Sequence, residues 1–308
     1  MNQREKIKIA ILGASGIGKF HARIFNNLGV QITSILSSSF ESGQATAESL
    51  SNSLGLRVQH YDNLDLLLEK SMPNAVSICT PNDLHYEQIL KILSKNIPIF
   101  CEKPLFWNKE DSYVDFSEKL NIIKGYPNRS IFVNTSSATY IESIEDLLPL
   151  QKNINSFNFN FVTKGNNKFL DIAEDLMPHG LAMLIELLGC HKITSYKQKY
   201  SVNSYQCSFF YSKCKVSFKF KEGKLLKKEF QFSINDDKYI RIQNNSLHNY
   251  EVFLDCISQS IKVKIDDPFE VYISRFLNFC QDGSSFTEDQ FDTSSHNLNL
   301  MAKILLPS

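Results

Sequence analysis

The sequence predicts an N-terminal α/β domain with a doubly wound parallel sheet, followed by a C-terminal α+β domain built on a mostly antiparallel open sheet. Three observations carry this. Short apolar runs alternate with amphipathic stretches over the first third of the chain. After about residue 130, strand-like segments follow one another without helices between them. The 308 residues are also enough for two separate cores.

In the first third, Ile7-Lys8-Ile9-Ala10-Ile11-Leu12 reads as a strand buried on both faces. Ile17 to Leu28 follows as a helix, with Ile17, Phe20, Ala22, Ile24, Phe25 and Leu28 largely on one side. Val30 to Leu36 is a second strand, and Ala75 to Cys79 and Ile97 to Cys101 are later ones. Between these two, Asp83 to Leu93 spaces Leu84, Ile89, Leu90 and Leu93 as a helix does.

In the second half, Ser156 to Thr163 alternates Phe157, Phe159 and Phe161 with polar residues, the period-two pattern of a sheet with one wet face. Val216, Phe218 and Phe220 repeat it, Glu222-Gly223 offers a turn, and Phe230 to Ile234 resumes it. Pro268 to Phe279 and Thr293 to Leu305 read as closing helices.

Composition narrows the function. Thirty-three Lys and Arg balance thirty-three Asp and Glu, so no global field favours nucleic acid or an anionic membrane. No apolar run reaches the roughly 18 residues of a spanning helix, and the start of the chain shows no export segment. Seven cysteines, an odd number without a CxxC pair, fit buried thiols in a reducing, cytoplasmic setting.

The chemistry-bearing segments fall at strand ends. Gly13-Ala14-Ser15-Gly16-Ile17-Gly18 directly follows the first strand and opens the first helix. Glycines there allow a tight turn, and free amides at a helix start attract a pyrophosphate, so Gly13, Ser15, Gly16 and Ile17 are dinucleotide-binding candidates. At the end of the second strand, where an acidic residue would meet a ribose diol, the chain reads Ser37-Ser38-Ser39. Serine hydroxyls can donate to a 2′-phosphate, so Ser37 and Ser38 favour NADP slightly over NAD, although Glu41 is close by and no Arg or Lys stands in the loop.

Thr80-Pro81-Asn82 with His85, and Glu102-Lys103-Pro104, follow two further buried strands, where ligands of doubly wound sheets bind. Asn82 or Asp83 could also simply cap a helix. A lysine directly after a buried strand can be desolvated enough to take part in proton transfer. Finally, Asp175-Leu176-Met177-Pro178-His179 places a carboxylate and an imidazole four residues apart. Because proline is tolerated in a first turn, the helix is expected to begin near Asp175. Two such residues are too few for a metal site, and none is expected.

Taken in order, these segments resemble the Gfo/Idh/MocA oxidoreductases, the family of glucose-fructose oxidoreductase and inositol 2-dehydrogenase. The resemblance spans both halves and implies a Rossmann domain over residues 1–125 and a substrate-binding and oligomerisation domain over 126–308, with the active site between them. It implies a catalytic group of Lys103, Asp175 and His179, with His179 as general base, and a dinucleotide lined by Thr80, Pro81, Asn82, His85 and Glu102. It also implies that Pro104 follows a cis bond and that the open sheet joins copies of the chain into a homo-oligomer. The expected substrate is a small molecule, a sugar, cyclitol or sugar derivative, nucleotide sugars included.

The chain departs from the family pattern at Ser15, at Phe169 to Glu174 where a glycine-rich approach is usual, and at Ala182 where an acidic residue is usual. These departures leave room for an alternative, a catalytically inactive dinucleotide-binding regulator or ligand sensor of the same fold. A short-chain dehydrogenase reading of Tyr211-Ser212-Lys213-Cys214-Lys215 fails, because that segment alternates like a strand and would not bring Tyr211 and Lys215 together. The lysines from Lys213 to Lys228 could meet a phosphate, but read better as a hairpin's wet face.

Overall fold

The computed structural model describes residues 6–127, 129–147, 153–245, 250–282 and 286–306. The chain divides into two compact units, one of Met1–Asn134 with Tyr272–Ser295 and one of Thr135–Val271 with His296–Ser308. The sequence places a single division at 125/126; the structure carries the first unit on to Asn134 and adds a segment from near the carboxyl terminus.

The first unit runs β1 (Lys8–Leu12), α1 (Ile17–Asn27), β2 (Gln31–Leu36), α2 (Phe40–Leu54), β3 (Gln59–Tyr61), α3 (Leu64–Ser71), β4 (Ala75–Ile78), α4 (Asn82–Leu93), β5 (Ile99–Cys101), α5 (Tyr113–Lys124) and β6 (Ile131–Val133). Its strands pair in parallel in the order β3-β2-β1-β4-β5-β6. The strand order reverses between β1 and β4, so the loops after these two strands flank the crevice where a doubly wound sheet binds its ligand.

Two helices bury a different stripe from the one their apolar residues predict. In α1 the inward positions are Gly18, His21, Ala22, Ile24 and Phe25, while Ile17 and Leu28 are exposed. The cause is Gly18, whose missing Cβ would lie 2.1 Å from the Gly13 carbonyl oxygen. Seating that glycine against the loop turns residues 21, 22 and 25 inward with it. In α4 the buried positions are His85, Gln88, Ile89, Ile92 and Leu93, with Leu84 exposed. Each helix thus delivers a histidine beneath the carboxyl edge of the sheet.

The second unit begins with a 3-10 turn, Ser136–Ala138, and continues α6 (Thr139–Leu147), β7 (Ser156–Thr163), α7 (Asp171–Leu188), β8 (Ile193–Ser201), β9 (Ser204–Tyr211), β10 (Cys214–Glu222), β11 (Glu229–Ile234), β12 (Asp237–Asn245), β13 (Tyr250–Cys256) and β14 (Ile261–Ile265). Two helices follow in the chain, α8 (Pro268–Asp282) and α9 (Phe286–Leu305), and their residues from Tyr272 to Ser295 belong to the first unit. The eight strands form one sheet in the order β14-β13-β12-β11-β7-β10-β9-β8, antiparallel except for the β7/β10 pair.

The phenylalanines that set the alternation form the inner face. Phe157, Phe159, Phe218, Phe220, Phe230 and Phe232 are all buried, and burying each contributes about 1.5–3 kcal/mol. α7 packs closely on this face. A Cβ on Gly180 would meet Phe159 at 2.7 Å and Phe218 at 2.9 Å, so only glycine lets the helix approach this near. The other face carries Lys215, Lys219 and Lys221 of β10, all exposed.

Tyr211 is buried and donates to the Gly189 carbonyl at 2.7 Å, whereas Lys215 sits on the outer face opposite Phe210. The Tyr-Lys pair of a short-chain dehydrogenase is therefore not assembled.

Among the described residues no helix is long and apolar enough to cross a membrane. All seven cysteines are free thiols.

Candidate active site

The glycine loop after β1 is shaped by specific contacts. Gly13 has φ 79°, and a Cβ there would sit 2.8 Å from the Cys79 carbonyl oxygen, so the loop can cross β4 only without a side chain. Gly16 has φ 53° and caps α1 with no side-chain hydrogen bond, and the first turn of α1 carries no acidic residue. Ser15, Gly16 and Ile17 are exposed, and a Cβ on Gly16 would meet nothing within 4 Å. Open space above an uncapped helix start, with no competing carboxylate, fits an anionic pyrophosphate.

At the end of β2, Ser37 is half-buried and its amide donates to the Tyr61 carbonyl at 2.9 Å, while Ser38 is exposed. Ser39 caps α2 in a reciprocal pair with Ser42, and Ser38 Oγ lies 3.5 Å from Ser42 Oγ. Glu41 lies in the first turn of α2, where its own amide and Ser39 hold its carboxyl below the usual range.

Thr80 and Pro81 follow β4, and α4 starts at Asn82 with Pro81 as its cap, so neither Asn82 nor Asp83 serves as the side-chain cap. Thr80 Oγ1 donates to Gln88 Oε1 at 2.7 Å. His85 is fully buried, with Nε2 2.9 Å from the Thr80 carbonyl and Nδ1 3.1 Å from the Pro104 carbonyl. Burial pushes its pKa down, and the ring ties the loop after β4 to the loop after β5. Lys103 is half-buried directly after β5, and the Lys103–Pro104 bond is cis, as the resemblance implies.

Glu102 is only 7% exposed. Its Oε1 accepts from His21 Nε2 at 2.8 Å and from Asn134 Nδ2 at 2.7 Å, and its Oε2 accepts from the Lys103 amide at 3.3 Å. Along this edge Glu102 and His85 thus serve as internal braces for their loops. Asn134 carried no sequence signal, whereas His21 stands in the Lys19-Phe20-His21-Ala22 segment that follows the glycine loop and shares in the family resemblance.

In the second unit α7 begins at Asp171, four residues before the expected start, and carries Pro178 inside it. Pro178 cannot donate to the Glu174 carbonyl, a loss that costs about 3 kcal/mol in a helix interior. Asp171 and Glu174 in the first turn favour the helix through its dipole, and the apolar residues from Leu181 onward hold it to the sheet. Asp175 and His179, both half-buried, therefore lie one helical turn apart. His179 Nδ1 is 2.9 Å from Ser137 Oγ, and its ring meets Phe161 edge-on with centroids 5.5 Å apart. Ser137 was invisible in the sequence because it depends on a turn that no motif marks.

Glu222, read as part of a turn, is the fully buried last residue of β10; its Oε2 accepts from the Asn167 amide at 2.9 Å, and burial, with the Asp175 charge, pushes its carboxyl above the usual range. The lysines of β10 lie on the opposite face of the sheet from α7, which separates them from Asp175 and His179. Among the described residues no group of His, Cys, Asp and Glu is arranged to hold a metal ion.

The family described as "Oxidoreductase family, NAD-binding Rossmann fold" (GFO_IDH_MocA) matches residues 7–121. Residues 7–121 belong to the Gfo/Idh/MocA oxidoreductase family. Inositol 2-dehydrogenase of Arthrobacter sp. (strain FB24) is 31% identical over 120 residues, which is 38% of this chain and 34% of that protein. D-glucoside 3-dehydrogenase of Escherichia coli is 28% identical over 124 residues, 39% of this chain and 34% of that one. The matched region spans about a third of the length of these Gfo/Idh/MocA relatives.

The fold extends further than the sequence likeness. A 3-ketoreductase from Actinomadura kijaniata, solved with NADP, superposes with TM-score 0.71 at 14% identity, covering 97% of both chains. Myo-inositol 2-dehydrogenase from Lactobacillus plantarum gives TM-score 0.68 at 16% identity, covering 98% of this chain and 96% of that one. The likeness of fold therefore covers both units, including the open sheet of the second.

Proposed function

We propose that this chain is an NAD(P)-dependent oxidoreductase that passes a hydride between a nicotinamide dinucleotide and a hydroxyl-bearing carbon of a sugar, cyclitol or sugar derivative. The observation that carries the reading is Lys103, placed directly after β5 on the same carboxyl edge of the first sheet as the glycine loop after β1 and the Thr80-Pro81-Asn82 loop after β4. The names of the relatives, an inositol 2-dehydrogenase and a glucoside 3-dehydrogenase, support the substrate class.

In this reading Gly13, Ser15, Gly16 and Ile17 hold the pyrophosphate, Ser37 and Ser38 meet the adenosine ribose, and Thr80, Pro81 and Asn82 line the rest. Glu102 and His85 brace that wall. A bound nicotinamide dinucleotide supplies the hydride acceptor or donor. His179 takes the proton of the substrate hydroxyl on its Nε2, with Ser137 fixing the ring through Nδ1. The Lys103 ammonium holds the substrate oxygen and favours the alkoxide as it forms. Asp175, one turn before His179, orients the substrate, and in the reductive direction the same proton returns from His179 to the product oxygen.

We place NADP ahead of NAD on the serines at the end of β2, and kcat/KM with each coenzyme decides between them. The reading carries a cytoplasmic homo-oligomer joined through the open face of the second sheet, which light scattering of the purified protein reads directly. Nucleotide sugars stay within the substrate class, but through groups other than the β10 lysines. The test is nicotinamide absorbance with a panel of cyclitols, aldoses, glycosides, sugar phosphates and nucleotide sugars. Turnover of one class is expected, and binding of coenzyme without turnover of any would overturn the reading.

A further inference from the structure

The inner face of the second sheet, built largely of phenylalanine, opens at one end. Along β7, Phe157 and Phe159 are buried and Phe161 is half-buried; along β12, Tyr239 is buried, Arg241 half-buried and Gln243 exposed. His179 meets Phe161 at that same open end. Arg241 pairs with the buried Leu254 of β13, and its Cζ lies 4.1 Å from the Phe230 ring centroid and 5.6 Å from that of Phe161. Its Nη1 donates to the Tyr140 hydroxyl at 3.3 Å. All of these residues belong to the second unit.

A cation on an aromatic face loses hydration, and the two rings offset part of that loss through cation–π contact. Among the described residues no carboxylate forms an ion pair with Arg241. The Tyr140 bond takes one guanidinium N–H and leaves the others for a ligand. We propose that Arg241 is a substrate-binding residue that takes an oxyanion, a phosphate or carboxylate group, on the sugar whose hydroxyl faces His179, so that this chain acts on acidic sugars in preference to neutral ones. This rests on the catalytic reading of His179 given above.

Phe161 sets the span between the two groups. Its ring centroid is 5.5 Å from that of His179 and 5.6 Å from Arg241 Cζ, so a single pyranose laid along it can present a hydroxyl to the imidazole and an exocyclic oxyanion to the guanidinium. The planar fork of an arginine matches two oxygens of a phosphate or carboxylate. Tyr140 adds a donor: burial pushes its pKa up, so the phenol keeps its proton, and while accepting from Arg241 it can donate to the same anion. Away from bulk water, these charge-assisted bonds gain strength.

The test compares acidic sugars with their neutral parents on the coenzyme-loaded protein: hexose 6-phosphates, hexuronates and UDP-hexoses against the hexoses, in the gluco, galacto and manno series. The best acid should exceed its parent about thirtyfold or more in kcat/KM, and which acid leads separates phosphate from carboxylate recognition. Arg241→Met should bring that ratio to within about threefold of unity, and Arg241→Lys, which keeps the charge and loses the fork, should lower it about tenfold. An arginine that only supported the fold would lower acid and parent alike. An unchanged ratio in Arg241→Met, or neutral parents used as well as acids by the wild type, overturns the proposal; if Arg241→Met does not fold, the ratio in Arg241→Lys decides.

Calorimetric binding of the same acids needs no turnover and separates the two readings. If the wild type turns over nothing yet binds an acid that Arg241→Met binds about tenfold or more weakly, the hydride-transfer reading falls and the oxyanion site stands. Acids that bind the wild type and the variant equally, or bind neither, overturn the site.

Discussion

His21 and Glu102 form a buried ion pair, Nε2 to Oε1 2.8 Å, directly beneath the strand end that carries Lys103. On its other side the ring meets Ser77 Oγ at 3.0 Å and Cys79 Sγ at 3.3 Å. Burial alone would lower the His21 pKa, but the Cys79 sulfur and the Glu102 carboxylate outweigh it and hold the value at about 10. Burial likewise opposes the Glu102 carboxylate, and His21 brings it below its ordinary value. Since Glu102 also accepts from the Lys103 amide, the pair anchors the peptide from which the lysine side chain projects.

The pair sets a pH window for stability. His21 contributes below its ordinary 6.5 and loses that contribution as pH rises through about 10. Glu102 contributes above its ordinary 4.5 and loses it as pH falls through its lowered value. Denaturant midpoints should hold a plateau between these limits and drop on both sides. Glu102→Gln strands a buried imidazolium, which costs about 3–5 kcal/mol and moves the alkaline drop to lower pH. Wild-type stability in that variant would remove the ion pair from the account.

Gly18→Ala forces a methyl into the Gly13 carbonyl. The glycine loop must open, with a stability loss of about 1–3 kcal/mol and coenzyme affinity weaker by roughly tenfold or more. Gly16→Ala makes no clash and costs only about 1–2 kcal/mol for its positive φ. Titration of coenzyme fluorescence in both variants checks this, and equal affinities would contradict it.

Ser137→Ala releases Nδ1 of His179 while leaving the histidine itself in place. kcat should fall about tenfold, within the range for a general base that has lost its alignment, with KM for coenzyme unchanged. A wild-type kcat would mean that Ser137 does not orient the ring.

Gly180→Ala pushes α7 off Phe159 and Phe218. Overpacking of this kind costs about 1–3 kcal/mol, and because His179 is the neighbouring residue, kcat should drop with it. Thermal unfolding together with initial rates tests the link; a stability loss without a rate loss would separate packing from chemistry.

How much of this was legible beforehand follows from which signals are local. β7 was read residue for residue because alternating phenylalanines admit one register. Four strands of the first sheet, β1, β2, β4 and β5, were legible as short apolar runs, β3 and β6 at three residues each were not read, and the Lys103–Pro104 cis bond came from the family resemblance. β8 was missed because all but its first residue are exposed, leaving no alternation to read. The start of α7 was misplaced because the proline rule is local, whereas the packing that overrides it at Pro178 is tertiary. Ser137 and Glu222 escaped for the same reason: each has its partner, His179 and Asn167, distant in sequence. The stripe of α1 was rotated because the Gly18 contact, rather than apolarity, sets its face, and that of α4 because His85 and Gln88 turn inward to bond Thr80.

We propose above all that Lys103 and His179 serve one hydride-transfer reaction on a hydroxyl-bearing substrate. The most direct measurement is single-turnover nicotinamide absorbance with the best substrate of the panel, comparing the wild-type protein with Lys103→Met and His179→Ala, alongside coenzyme affinity for each. Both variants should bind coenzyme as the wild type does and lose turnover by about a hundredfold or more. Full turnover in either variant, with coenzyme bound, would contradict it.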